Sequence, residues 1–147
     1  MILDAYFVDQ LDDKLLDNFH NKDLFDEFLQ INNFTAKKNS YIFIPKTLSK
    51  SDNESIVIGI SGCDEVLDWV ELGSKIGSKL KKDYELNIIS INSNIDSYSF
   101  EFGLKLSAYD FDIFISKKEN KPKFSIKDSN FEEEVNNKID SVFWVRD

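Results

Sequence analysis

The chain has one cysteine, Cys63, and one histidine, His20, and these are the two side chains best suited to nucleophilic or acid–base chemistry. Cys63 closes the run Gly59-Ile-Ser-Gly-Cys63, where a strand is expected to give way to a helix. Amides at a helix N-terminus favour a thiolate, but the adjacent Asp64 and Glu65 oppose one. The imidazole partner would have to be His20, far away in sequence. A free cysteine packed as a small hydrophobe is the simpler reading. Ser61 occupies the nucleophile position of a G-x-S-x-G pattern, yet Cys63 stands where that strained turn needs its last glycine, so a nucleophile elbow is rejected. One histidine and one cysteine fall short of the ligands of an ordinary zinc site, which leaves His20 at a helix end or on the surface. Gly73 and Gly77 do not fit the spacing of a phosphate-binding loop. Four residues apart inside a helix they share one face, and they are expected to let that helix lie close against a sheet.

Carboxylates are the more abundant resource. The 147 residues carry 27 acids and 18 Lys and Arg, a formal charge of −9. Residues 1–30 hold a net −6 and residues 128–147 a net −4, while the stretch between them is close to neutral. Asp9-Gln-Leu-Asp-Asp13 and Asp110-Phe-Asp112 lack the ligand spacing and glycine of a calcium loop. No catalytic residue, metal site or cofactor is assigned. The acids at Asp9, Asp12, Asp13, Asp17, Asp23, Asp26 and Glu27 fall mostly between apolar positions and so belong to the solvent side of their helices. They are the first candidates for partner binding, and Glu132, Glu133 and Glu134 are the second. The latter three also suit the first turn of a helix, where acids favour the macrodipole without any ligand. A solvated helix face is the competing reading for each cluster. A concentrated negative face steers basic proteins and repels nucleic acid and anionic membrane. Lys79-Leu-Lys-Lys82 and the lysines of residues 117–123 are modest basic spots, the first expected at a helix C-terminus and the second in a turn.

The elements that must position these residues are set by periodicity. Residues 2–8 suit a first strand, with Asp9 as an N-cap and Asp12 three residues on. Leu11, Leu15, Leu16 and Phe19, then Leu24, Phe28 and Ile31, give two short helices across residues 10–31, broken near His20-Asn21. Tyr41-Ile-Phe-Ile44 is a strand ended by Pro45, with a polar loop after it over 46–54. Ser55–Ile60, a helix from about Gly62 to Lys82 and a strand over Leu86–Ile91 make a β–α–β unit across 55–92. The inner face of that helix is expected to hold Val66, Trp69, Val70, Gly73, Ile76, Gly77 and Leu80. Phe100, Phe102, Leu104 and Leu106 alternate with other residues, as do Phe111, Ile113 and Ile115, and an antiparallel meander is predicted over 98–127, closing with Phe124 and Ile126. Ser129 and Glu132 stand at capping-box spacing for a last helix with Val135, Ile139 and Val142 inward, and Phe143-Trp-Val145 ends the chain as a tail or short strand. The fold class is α+β: one mixed sheet of about six or seven strands with helices at both ends, in a single domain over 1–147.

The hydrophobic content of 41% and 13 phenylalanines are enough for a core. A lone cysteine excludes an internal disulfide. Lys-rich, Asn-rich and Ala-poor usage fits coding by an AT-rich bacterial or phage genome. The start lacks a signal peptide, and no stretch approaches the ~20 apolar residues of a membrane span, so a cytoplasmic location is expected and the oligomeric state stays open. In size, acidity and lack of a site the chain resembles the immunity proteins of bacterial toxin systems. That resemblance implies a non-enzymatic protein that neutralises a cognate basic, nuclease-type toxin by charge-complementary binding. Three alternatives remain: a small enzyme or ligand-binding domain with its site near the Ser61–Asp64 strand–helix junction, an acidic phage inhibitor that mimics DNA phosphates, and an oligomeric structural protein, which would expose an aromatic patch.

Overall fold

The computed structural model describes residues 1–92, 94–108 and 123–144, with side chains through residue 140. These residues cluster into two compact units, one comprising 1–65 with those described between 86 and 95, and the other 66–85 with those described from 96 onward.

The first unit begins with β1 (Ile2–Val8), which is buried along nearly its whole length. Then come α1 (Asp13–Leu16), α2 (Lys22–Ile31), β2 (Tyr41–Ile44), a 3-10 turn at Lys46–Leu48 and β3 (Glu54–Gly59). β1 pairs in parallel with β3 from Leu3↔Glu54 to Val8↔Gly59, and β2 pairs antiparallel with β3 from Tyr41↔Ile58 to Ile44↔Ser55. The strand β4 (Tyr84–Ser90) flanks β1 on its other side. Asp4 contacts Asn87, Phe7 contacts Ile91 and Asp9 contacts Asn92, so partner numbers rise together and β4 also runs parallel to β1. Tyr6, Val8 and Val57 form a core with Leu15, Phe19, Phe25 and Leu29. Phe19 stacks on Phe25 at 4.1 Å between ring centroids and leans on Tyr6 at 5.0 Å.

Local chemistry explains the breaks. The helical run is interrupted at His20-Asn21 as predicted, because Asn21 adopts a left-handed backbone (φ 51°) and its side chain caps α2 by accepting from the Leu24 N–H. The predicted cap at Asp9 is corrected: the N-cap of α1 is Asp12, whose carboxylate accepts from the Lys14 and Leu15 N–H groups. Pro45 ends β2 as expected and opens the 3-10 turn.

The second unit contains α3 (Val66–Lys79), α4 (Ser97–Ser107), β5 (Phe124–Ile126) and α5 (Glu132–Trp144). α3 starts later than Gly62 because Gly62 holds a positive φ of 97° and the Cys63 N–H turns back to the Ile60 carbonyl. Its buried positions are Trp69, Leu72, Gly73, Ile76 and Gly77, while Val66, expected inside, is exposed. β5 meets the start of β4, where the Tyr84 N–H donates to the Lys123 carbonyl and the Asp83 carboxylate accepts from the Lys123 N–H at 2.7 Å. The described sheet therefore has five strands in the order β2-β3-β1-β4-β5, mixed in direction, within an α+β fold.

That is fewer than the six or seven strands predicted, and the main correction is α4. Phe100, Phe102, Leu104 and Leu106 are helical, and their alternation arises from two i, i+4 stripes on different faces. Phe100 and Leu104 are fully buried, whereas Tyr98, Phe102 and Leu106 pack against Val135 and Ile139 of α5. A helix covered on two faces imitates the period-2 pattern of a strand. Phe111, Ile113 and Ile115 lie outside the described residues, and Phe124 and Ile126 do form a strand. At the C-terminus α5 continues through Trp144, so Phe143 and Trp144 are helical rather than a tail or strand; Val145 and the Val142 side chain lie outside the described residues.

The two interior glycines do mark a close approach, but to α4 within their own unit. A Cβ built on Gly73 would lie 2.2 Å from the Phe100 carbonyl oxygen, and one on Gly77 3.0 Å from that of Leu104. Reciprocally, a Cβ on Gly103 would lie 2.0 Å from the Val70 carbonyl oxygen. These are backbone obstacles that no rotamer change removes. Gly73→Ala and Gly103→Ala are therefore expected to destabilise the protein by about 1–3 kcal/mol. An open helix position would instead gain about 1 kcal/mol from the same change. Denaturant midpoints measure this, and a raised midpoint in either variant would contradict the α3–α4 contact.

Candidate functional site

The predicted acidic surface of residues 9–27 belongs to one unit, at the exit of β1 and along α1 and α2. The structure divides its seven acids by role. Asp9 is half-buried, and its N–H donates to Asn92 Oδ1 at 2.9 Å. Asp12 caps α1 and also accepts from Asn92 Nδ2 at 3.2 Å and Gln10 Nε2 at 3.1 Å. Asn92 Nδ2 further donates to the Gln10 carbonyl, so this one amide ties the end of β4 to residues 9–12. Asp17 ends α1 and forms an ion pair with Lys22, and Lys50 Nζ donates to its carbonyl. Asp26 accepts from Gln30 one turn on. Asp13, Asp23 and Glu27 are exposed; Asp13 and Asp23 stand in the first turns of α1 and α2, and the Asp13 carbonyl accepts from the Asp17 N–H.

The charges of this surface respond to their neighbours. Desolvation opposes ionisation of Asp12, but the hydrogen bonds from Asn92, Gln10 and the Leu15 and Lys14 amides outweigh it and hold its carboxyl below the ordinary range. The hydrogen bond and then the charge of Asp17 push the Lys22 ammonium above its usual value. Between the acids stand two large exposed aliphatics of α2, Leu24 at 49% and Ile31 at 71% exposure. Helical periodicity alone assigns both to the inner stripe, and the structure corrects that placement.

Glu132, Glu133 and Glu134 form the first turn of α5 in the other unit, and all three are exposed. Ser129 does not complete a capping box with Glu132. Its hydroxyl accepts from the Phe131 N–H and donates to the Glu101 carboxylate. Glu132 lies 3.7 Å from Lys105 Nζ.

That contact leads to a polar cluster that periodicity does not reveal. Glu101 is 1% exposed on the buried side of α4, and its Oε2 lies 3.3 Å from Lys105 Nζ, one turn along. Among the described residues Oε2 meets no aligned hydrogen-bond donor, and Lys105 supports it as an ion pair. Lys105 Nζ also donates to Asn136 Oδ1 at 3.1 Å. Its side chain, 10% exposed, reaches a cleft of about 420 Å³ that Phe124, Glu132, Asn136, Ile139 and Asp140 help to line. An i, i+4 Glu–Lys pair is the available signal, but it has meaning only on a helix, and the alternation of this segment points to a strand.

A second buried carboxylate occupies the first unit. Asp4, 4% exposed in central β1, accepts from the side-chain amides of Asn87 at 3.1 Å and Asn53 at 3.4 Å. Burial, and then the charge of Asp4, push the Tyr6 phenol upward. The strand–helix junction is built differently from an open site. The Ser61 N–H donates to the Ala36 carbonyl and its carbonyl accepts from the Lys38 N–H, which pairs the Gly59–Cys63 run with residues 36–38. Cys63 is half-buried, and His20 is exposed with its N–H on the Leu48 carbonyl. Among the described residues no group of three or more His, Cys, Asp or Glu is placed to hold a metal, and no helix is long and apolar enough to cross a membrane.

No protein-family profile and no curated protein matches the chain. Among solved structures it is similar to a mutant of tomato leucine aminopeptidase, with a TM-score of 0.55 at 13% identity. The match covers 85% of this chain and 29% of that one, so this chain spans less than a third of the solved protein's length. At that identity the likeness is one of fold.

The charged groups can be tested one at a time. Lys105→Met leaves Glu101 as an unpaired buried charge and is expected to cost about 3–5 kcal/mol in chemical denaturation, much of it recovered in the double variant Glu101→Leu/Lys105→Met. A single variant as stable as the wild type would remove the pair from the core. For Asp12 the sign runs with a lowered pKa: its contribution is present above the unfolded value near 3.8 and is lost as pH falls through the lower folded one. Asp12→Ala should thus be less stable than wild type at about pH 7, and the gap should close at about pH 2. A gap of constant size across that range would exclude the charged cap.

Proposed function

We propose that this chain is a non-enzymatic binding protein of the immunity type, which neutralises a basic, nuclease-type toxin protein through the acidic surface of residues 9–27. The observation that carries this reading is the division of labour among the acids. Capping, ion pairing and local hydrogen bonding account for Asp12, Asp17 and Asp26; Asp13 and Asp23 stand in the first turns of α1 and α2, Glu27 stands beyond the first turn of α2, and all three face solvent. Exposed acids gathered on one surface raise encounter rates with a basic partner and repel nucleic acid. Glu132, Glu133 and Glu134 make the weaker claim, because all three stand in the first turn of α5, where the macrodipole favours acids, and none of them extends past it as Glu27 does on α2.

The fold likeness favours a second reading. A chain that matches 29% of an aminopeptidase over 85% of its own length corresponds to one structural part of a larger protein. On that reading its partner is a peptidase chain, and its role is assembly.

Affinity capture from the source cells with the tagged full chain, and identification of the bound protein, separates the two. A basic toxin whose activity the chain abolishes supports immunity; a peptidase chain supports the second reading; a small metabolite with no protein partner overturns both. With a toxin in hand, Asp13→Asn/Asp23→Asn/Glu27→Gln is expected to slow association about tenfold or more at low salt and to flatten its ionic-strength dependence. Unchanged association kinetics would remove this surface from the interface.

A further inference from the structure

Long-range charge brings a partner near, but it does not hold one, because tight interfaces depend on a few buried apolar anchors. The outer face of α2 supplies such anchors. Leu24, Phe28 and Ile31 stand at i, i+4 and i+7, within one stripe of the helix. Leu24 and Ile31 are the exposed ends of that stripe, and half-buried Phe28 lies between them, packed in part against the core of its unit. Asp23 and Glu27, both exposed, form the adjacent stripe on the solvent side. Among the described side chains of α5, through Asp140, every exposed position is polar or charged.

We infer that α2 is a recognition helix whose occupant is a basic amphipathic helix of another protein. The partner's apolar stripe would pack along Leu24, Phe28 and Ile31, and lysines or arginines flanking it would meet Asp23 and Glu27. This rests on the binding reading proposed for the acidic surface and adds to it the contact helix, the anchors and the partner's secondary structure. Charge complementarity selects the occupant. A second copy of this chain would set the net −6 of residues 1–30 against itself, and an anionic lipid surface would be repelled.

The test uses the full chain and three synthetic helical peptides as probes. The first carries leucines at i, i+4 and i+7 flanked by lysines, the second has glutamates for the lysines, and the third has serines for the leucines. Amide NMR titration is expected to show the Leu/Lys peptide bound, with shifts centred on residues 22–31. Leu24→Ser and Ile31→Ser, both at exposed positions, should each weaken it about 10- to 100-fold. The Leu/Glu peptide should not bind, and the Ser/Lys peptide only weakly and at low salt. The inference is overturned if the Leu/Lys peptide fails to bind, if either serine variant binds it as well as wild type, or if shifts centre on Glu132–Glu134. Capture of a basic protein partner alongside such a result would leave the binding reading standing and discard only the α2 helix seam. Absence of any protein partner would discard the binding reading itself.

Discussion

The α3–α4 backbone contact governs how its unit is built. Gly73, Gly77 and Gly103 let two helices approach until a carbonyl of one sits where a methyl group of the other would be. Three glycines inside helices are unfavourable in isolation, so the contact must return more than their combined propensity loss through dispersion between closely packed backbones. It also places α4 with a partner on one face while α5 covers another. Glu101 is buried as a result, and its carboxylate is supported by Lys105 from the same helix and by Ser129 from outside it. A small-residue seam and a buried ion pair are thus consequences of one geometry.

The parts of the fold legible in the sequence are those punctuated by residues with a fixed backbone preference. Pro45 ends β2, Asn21 separates two short helices, and the apolar runs of β1 and β3 declare strands. What fails is the assumption that alternation means a strand. In α4 the alternation comes from Phe100/Leu104 and Phe102/Leu106 serving two different neighbours, a tertiary fact that no window of local sequence contains. The same error hides the Glu101–Lys105 pair, since the two residues adjoin only on a helix. The acidic surface is legible as charge. Its internal division is not, because the Asn92 amide that binds Asp9 and Asp12 arrives from the end of β4, outside any local window.

The placement of apolar side chains shows the same limit. Leu24 and Ile31 fit the helical period as well as Phe25 and Leu29 do, yet the structure buries the latter pair and leaves the former outside. Periodicity finds the angular width of an apolar face but not how much of it the core covers. Where the core covers only part, the remainder is surface available to another molecule. The fold likeness to a portion of an aminopeptidase fits that distinction: architecture is shared, while function depends on the groups placed upon it.

In open α/β sheets, small molecules usually enter at the carboxyl ends of parallel strands, in the crevice where neighbouring connections diverge. Here Asn92 stands at that end of β4 beside the exit of β1, with its side-chain carbonyl and amide engaged by Asp9, Gln10 and Asp12. The customary doorway is therefore bolted from inside by a single amide. A small molecule taking the place of that amide would compete with three hydrogen bonds, one of them to the Asp12 carboxylate that caps α1. The same amide therefore joins the end of a parallel strand to the carboxylate that caps a charged helix.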